Sequence, residues 1–335
     1  MNLSKKSRAE RIIYRIKKYK LNFVFWFFYY ALFKFAEIFN IIKYHLIKIS
    51  KEKELTVKVN GHVMYFDPND MGIGKDLILN TNREELSQFM LDDIKNNDSI
   101  IDIGGNIGYY ALKEARIVKK NGSLCVIEPV SNNVSWLKKN LDVNDYPYVK
   151  VYKLAIGDEN NEIYINVSRH SNLSTIVDDT GSGIVKKEKV RVTTLDSFIS
   201  KNKIKPTFIR MDVEGYEYEI LAGARKILVE NEKLRLMIEV HPLFMGKMKY
   251  LEFMKLLKNN GFESKYVVFD NIFYPYAKMG SLLYKVLLFL NSRFSKRAEL
   301  VGTIHKNMSI NDLMNNDALS SGELGCPHVL FEKQI

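Results

Sequence analysis

The stretch DSIIDIGGNIGYYALKEA (Asp98–Ala115) places an acid, Asp102, inside an apolar, strand-like run. Gly104, Gly105, Asn106 and Gly108 follow, and then a helix-like stretch begins. Residues without side chains let a backbone approach a bound molecule closely. Glu128 ends the next apolar run, 26 residues after Asp102. A carboxylate there can accept two hydrogen bonds from a ribose diol. A pyrophosphate prefers an open helix N-terminus with no anion beside it, whereas an acid in the turn suits a ligand with a positive centre and an amino group. S-adenosylmethionine carries a sulfonium, an amino group and a ribose, and no phosphate. Charge therefore favours it over NAD as the ligand of Asp102, Gly104, Asn106, Gly108 and Glu128. The plainer alternative for Asp102 is a structural turn acid.

A second constellation lies further along. In Arg210-Met211-Asp212-Val213-Glu214 the alternation puts Asp212 and Glu214 on one face of a strand, and Glu239 and His241 repeat that spacing. Four polar groups ending two apolar strands call for a ligand. His241 titrates near neutrality in its ordinary state and is the first candidate for a general base. Asp212 is the second, and Glu239 completes the catalytic set. Asp212, Glu239 and His241 could instead hold a divalent, Mg²⁺-like cation that orients a sugar diol. The structural alternative is that Glu214, Glu217 and His241 cap the following helix.

The elements that must position these groups alternate. Strands are expected at Ser99–Ile103, Ser123–Glu128, Val149–Ile156, Thr207–Val213 and Leu234–Val240, with helices starting near Gly108, Ser131 and Tyr216 and after Lys247. Apolar strands alternating with helices predict an α/β, doubly wound, mostly parallel sheet, whose ligands sit beyond the carboxyl ends of the strands. Leu55–Pro68 alternates around Asn60-Gly61, a β-hairpin signal. Asn82–Asp98 predicts a helix capped by Asn82. Two extra strands, Ile163–Val167 and Val190–Thr193, flank a long polar loop that contains Asn172 and Ser174. An apolar helix is expected at Ser281–Phe294, and a last strand at His328–Glu332.

Charge divides the chain. Residues 1–53 hold 13 Lys/Arg and 3 Asp/Glu, whereas the remaining 282 residues hold 37 and 36. A nearly neutral body argues against a nucleic-acid enzyme. The appendage contains an uncharged run of 13 residues, Leu21–Phe33, short of the roughly 20 that span a bilayer. Its aromatic residues and flanking lysines suit a helix lying on an anionic membrane, and equally a helix packed on protein. Cys125 and Cys326 are the only cysteines. They read neither as a disulfide framework nor as a zinc site, and they fit a cytoplasmic chain, peripheral to the membrane if the appendage binds there. His62, His170 and His328 have no supporting neighbours in the sequence. The divisions expected are residues 1–53, 54–97 and 98–335, with a helical insertion near 277–320.

Taken together, IDIGGNIGYY, VIEPV, TTLDSF, IRMDVEGYEYEILAGARKIL and LMIEVHP resemble the FkbM family of S-adenosylmethionine-dependent methyltransferases. The likeness runs from about Ser99 to Pro242 and resumes at HVLFEK. Gly105 departs from it, since the family more often has alanine there. The resemblance implies a class I, Rossmann-like methyltransferase fold with seven strands, the last antiparallel, and O-methylation of a hydroxyl, often on a sugar or polyketide. It implies that Gly104, Asn106 and Gly108 border the methionine part of the cofactor and that Glu128 holds the ribose. Ala155 and Ile156 would line the adenine, and Asp158 is a candidate for its amino group or an ordinary turn aspartate. The family tends to keep small polar residues near the site, so Asn172 and Ser174 join Glu214 as candidates for the acceptor, a carbohydrate or glycolipid; the alternative for Asn172 and Ser174 is a solvated loop. The competing readings are an NAD-dependent oxidoreductase and a methyltransferase-fold binding protein without catalysis.

Overall fold

The structure is a computed structural model. It describes residues 54–168, 184–269 and 303–334, apart from 71, 75, 76, 78–86, 307 and 323, together with Ile42. The basic appendage, the helix expected at Ser281–Phe294, His170 and the acceptor candidates Asn172 and Ser174 lie outside the described residues.

The chain opens with a hairpin, β1 (Leu55–Val59) and β2 (His62–Phe66), paired antiparallel. Asn60 and Gly61 both have positive φ, 52° and 80°, as a tight two-residue turn requires. The large sheet is then built from β3 (Ser99–Ile103), β4 (Ser123–Ile127), β5 (Lys150–Tyr152), β9 (Phe208–Met211), β10 (Arg235–Glu239), β11 (Phe262–Phe269), β12 (Thr303–His305) and β13 (His328–Lys333). Its order is β12-β11-β13-β10-β9-β3-β4-β5. The five strands β10, β9, β3, β4 and β5 run parallel, and β13 inserts antiparallel between β10 and β11. The sheet has eight strands where seven were expected, because β12 adds to the edge of β11.

The expected strand Val149–Ile156 divides. Lys150–Tyr152 stays in the large sheet, while β6 (Ala155–Gly157) leaves it to pair with β8 (Ile184–Thr194), which also pairs with β7 (Asn161–Ser168). The separate sheet β6-β8-β7 is thus inserted between the third and fourth strands of the parallel array. In place of an α-helix over Asn82–Asp98, the described part is a 3-10 segment, Ser87–Asp93.

Side chains alternate between the faces of a strand, so each strand feeds two cores. One face gathers Ile101, Ile103, Ile127, Ile209, Met211 and Ile238 beneath α3 (Leu195–Asn202), α4 (Glu217–Ala222), α5 (Arg225–Glu230) and α7 (Lys247–Asn259). The other gathers Ile100, Leu124, Val126 and Phe208 beneath α1 (Tyr109–Val118), α2 (Ser131–Val143) and the hairpin. A short α6 (Pro242–Met245) follows β10, and α8 (Ile310–Asn315) and α9 (Asp317–Ser320) precede β13. No helix among the described residues is long and apolar enough to cross a membrane.

The free edge of β2 is closed by side chains in place of a strand. Asn140 accepts from the Tyr65 N–H at 2.6 Å and donates to the Tyr65 and Ile107 carbonyls at 3.0 and 2.8 Å. Asn144 repeats the pattern on Val63 at 3.0 and 2.7 Å. Both residues lie on or just beyond α2, so the hairpin edge is satisfied without a neighbouring strand. Asn140 is fully buried and also grips the turn that ends at α1. Asn140→Ala should therefore lower unfolding stability by about 2–4 kcal/mol, because it strands several buried polar groups at once. Chemical denaturation checks this, and a loss within 0.5 kcal/mol, the usual scatter of surface changes, would contradict it.

Candidate active site

The turn after β3 is shaped by the protein's own packing. A Cβ on Gly104 would lie 1.9 Å from the Asp212 carbonyl oxygen, and its φ is +88°. One on Gly108, with φ +97°, would lie 2.8 Å from Leu137 Cδ1. One on Gly105 would lie 2.1 Å from Val126 Cγ1, so an alanine there would require Val126 to move. The glycines were expected to admit a ligand. Gly104 does line the cleft, and all three glycines also make room for the Asp212 backbone just beyond β9, for Val126 on β4 and for Leu137 on α2.

Asp102 needs a similar correction. It is fully buried and turns away from the cleft, and its Oδ1 accepts from Arg210 Nη1 at 2.9 Å. Arg210 Nη2 donates to Asp212 Oδ2 at 3.0 Å, and its guanidinium lies 3.8 Å from the centre of the Tyr110 ring. Burial raises the pKa of Asp102, and the charge of Arg210 opposes that rise. Nearby, burial and then the charge of Asp102 push the carboxyl of Glu114 well above its ordinary range. Asp102 Oδ1 is thus paired with Arg210, while its buried Oδ2 has no hydrogen-bond partner.

A cleft of about 660 Å³ opens at the carboxyl ends of β3, β4 and β9. Gly104, Asn106, Glu128, Asp212 and Glu214 line it, with Leu154, Ala155, Ile156, Ile165, Val213, Tyr216 and Ile220 as apolar and aromatic wall. Asp102, Gly108, Asp158, Glu239 and His241 are not among its lining residues. Asp158 is exposed, close enough to Tyr216 to help burial raise that phenol to about 12.

Glu128 anchors the floor. Its Oε2 accepts from the Asn106 N–H at 2.9 Å, and its Oε1 accepts from the Val130 N–H at 2.9 Å and from Asn133 Nδ2 at 3.2 Å. Burial raises its pKa to about 7 despite these donors. Oε2 keeps a lone pair for a further donor. Asn106, held at φ 46°, leaves its buried Oδ1 without a hydrogen-bond partner.

The second constellation does assemble. His241 is 2% exposed, and its Nδ1 is 2.6 Å from Oε1 of the fully buried Glu217. Its Nε2 lies 3.4 Å from Glu214 Oε2 and 3.8 Å from Glu239 Oε1, and the ring stacks on Phe244. Glu217 also accepts from the Gly215 N–H at 3.1 Å, which fixes the turn after β9. Glu214 itself takes a left-handed conformation, φ 53°, and this brings its carboxylate to His241. Burial opposes a charge on the ring, but Cys326, Glu214 and Glu217 outweigh it and raise the pKa of His241 well above its ordinary value. His241 is not among the residues that line the cleft, whereas Asp212, whose side chain is 22% exposed, lines it.

The cation trio also regroups. Asp212 gathers with Glu214 and His241, whereas Glu239 gathers with His241 and Cys326. Neither Cys326 nor His328 was singled out by the sequence. His328 is buried with its Nε2 3.4 Å from Glu239 Oε2, because β13 pairs His328 directly with Glu239. His62, by contrast, meets Tyr146 Oη at 2.9 Å, and burial lowers its pKa to about 4.

The parallel array with an antiparallel strand inserted next to its last member is the fold of the class I methyltransferases. Residues 102–264 match the family model for the methyltransferase FkbM domain. No curated protein matches the sequence. Among solved structures, the chain is similar to the methyltransferase FkbM from Methylobacillus flagellatus KT, with 23% identity, 44% of this chain covered and a TM-score of 0.32. It spans 34% of that protein's length. It is also similar to M. jannaschii TYW2, solved in complex with AdoMet, with 16% identity over 65% of this chain and 78% of that one and a TM-score of 0.35. A putative rRNA-methylase from Clostridium thermocellum is 13% identical over 55% and 88%, with a TM-score of 0.36. At such scores the likenesses carry no weight beyond the topology and the family match.

Arg210→Met should lower unfolding stability by about 3–5 kcal/mol, because Asp102 would stay buried without its counter-charge. Denaturant titration tests this. A variant as stable as the parent protein would show that Asp102 does not depend on Arg210.

Proposed function

We propose that the cleft binds S-adenosylmethionine and that the chain methylates a hydroxyl of a carbohydrate, on a glycan or glycolipid. One observation carries the choice of cofactor. Glu128, Asp212 and Glu214 line the cleft, and among the described residues no Lys, Arg or His lines it. Among the described residues a dinucleotide pyrophosphate would meet carboxylates and no side-chain counter-charge, whereas a sulfonium and an ammonium group meet what they need. This replaces Asp102 as the reason for the preference.

The residues present fit the cofactor. The open lone pair of Glu128 suits a ribose hydroxyl, and the orphan Oδ1 of Asn106 suits an ammonium group. Ala155, Ile156 and Ile165 offer an apolar wall for an aromatic base. Bound S-adenosylmethionine would supply an activated methyl group. Asp212 then needs to orient the acceptor hydroxyl in line with that methyl and take its proton. Arg210 holds the carboxylate of Asp212 in place. Glu214, on the cleft wall, is placed to accept from a neighbouring sugar hydroxyl, and His241 fixes its position. A carbohydrate acceptor is supported by this acidic, hydrogen-bonding rim and by the family resemblance. The basic, aromatic appendage supports an acceptor at an anionic, cytoplasm-facing membrane surface.

Two outcomes test this reading. Glu128 must be ionised to accept two ribose donors, and its pKa in the free protein is raised to about 7. S-adenosylmethionine affinity should therefore rise about tenfold from pH 6 to pH 8 and then level off. Glu128→Gln should bind about 10- to 100-fold more weakly and lose that pH dependence. Calorimetry reads both, and tight binding of NAD with none of S-adenosylmethionine would exclude the proposal. With an isotope-labelled methyl donor and glycan acceptors, Asp212→Asn should lower turnover by about 10²–10⁴-fold and still bind the cofactor. Undiminished turnover would remove Asp212 as the base.

A further inference from the structure

We propose that Glu239, His241 and Cys326 form a binding site for a zinc-like divalent transition ion, with Glu214 bordering the fourth position on the cleft side. The three ligand atoms lie within 4.8 Å of one another. A tetrahedral zinc site with arms of about 2.0–2.1 Å holds its nitrogen and oxygen ligands about 3.3 Å apart. Glu214 Oε2 lies 3.4 Å and Glu239 Oε1 3.8 Å from His241 Nε2. These spacings are long for hydrogen bonds and close to what an ion between the atoms needs. The donor set of imidazole, thiol and carboxylate selects a transition ion over Mg²⁺, which takes oxygen ligands.

The ring is also oriented as a metal ligand is. Glu217, fully buried, holds Nδ1 at 2.6 Å, so Nε2 is the atom presented to Glu214 and Glu239. A carboxylate behind a histidine in this way fixes the ring and raises its basicity toward the ion. His328, 3.4 Å from the other oxygen of Glu239, plays the corresponding part for that carboxylate. Three chain segments contribute, and the cysteine arrives from the residues just before β13.

The proposal stands apart from the choice of acceptor, and its test uses the full chain and a readout other than methylation. Elemental analysis of protein purified without chelator should find close to stoichiometric metal. Titration of stripped protein with Co²⁺ should give tetrahedral visible bands and a thiolate charge-transfer band in the near ultraviolet. Cys326→Ser should lose that charge-transfer band, and both it and Glu239→Gln should bind Co²⁺ at least about tenfold more weakly. Circular dichroism confirms that each variant is folded, and calorimetry with S-adenosylmethionine reports the cofactor cleft separately. Failure to bind Co²⁺ or Zn²⁺, or binding that survives both substitutions, overturns the site even where the cofactor still binds.

Discussion

One buried guanidinium holds the site together. Arg210 on β9 spans Asp102 on the adjacent β3 and Asp212 just beyond its own strand. Both bonds are charge-assisted, and the one to Asp102 is fully buried, so it is stronger than a surface pair and costlier to break. The stacking of Arg210 on Tyr110 adds a contact from α1. The turn after β3, the start of α1 and the end of β9 are thereby fixed relative to one another. The same closeness leaves no room for a Cβ at Gly104, which abuts the Asp212 carbonyl. The position of Asp212 at the cleft follows from this arrangement.

A second set of constraints acts on the neighbouring strand. Glu217 pins His241, and His241 in turn meets Glu214 and Glu239. The two sets share the short Asp212–Gly215 segment. One carboxylate of that segment answers to Arg210 and the next to His241. Arg210 lies against Asp102 and Asp212, and His241 against Glu214, Glu217 and Glu239. The methyl-donor cleft borders this lattice on the side of Asp212 and Glu214 and keeps an apolar wall on the other.

Much of this was legible in the sequence. The alternation of strands and helices gave the parallel array, and Asn60-Gly61 gave the hairpin turn. The ends of the strands placed Glu128, Asp212 and Glu214 on one cleft, because a ligand site in such a sheet can lie only there. What was not legible depends on partners distant in sequence. Nothing near Asp102 reveals that Arg210, 108 residues later, turns it inward. The glycines read as space for a ligand because the residues that crowd them, Asp212, Val126 and Leu137, come from other elements. Cys326 and His328 carried no local signal and reach the site only because β13 inserts beside β10. The break between β5 and β6 depends on pairing with β8, a strand more than 25 residues away.

The most direct test of the central claim is a crystal structure with S-adenosylmethionine or its demethylated product bound. The account predicts the ribose diol on Glu128, the amino group beside Asn106 Oδ1, and the sulfur facing Asp212 across room for an acceptor hydroxyl. A ligand seated elsewhere, or one whose sulfur points away from Asp212, would contradict it.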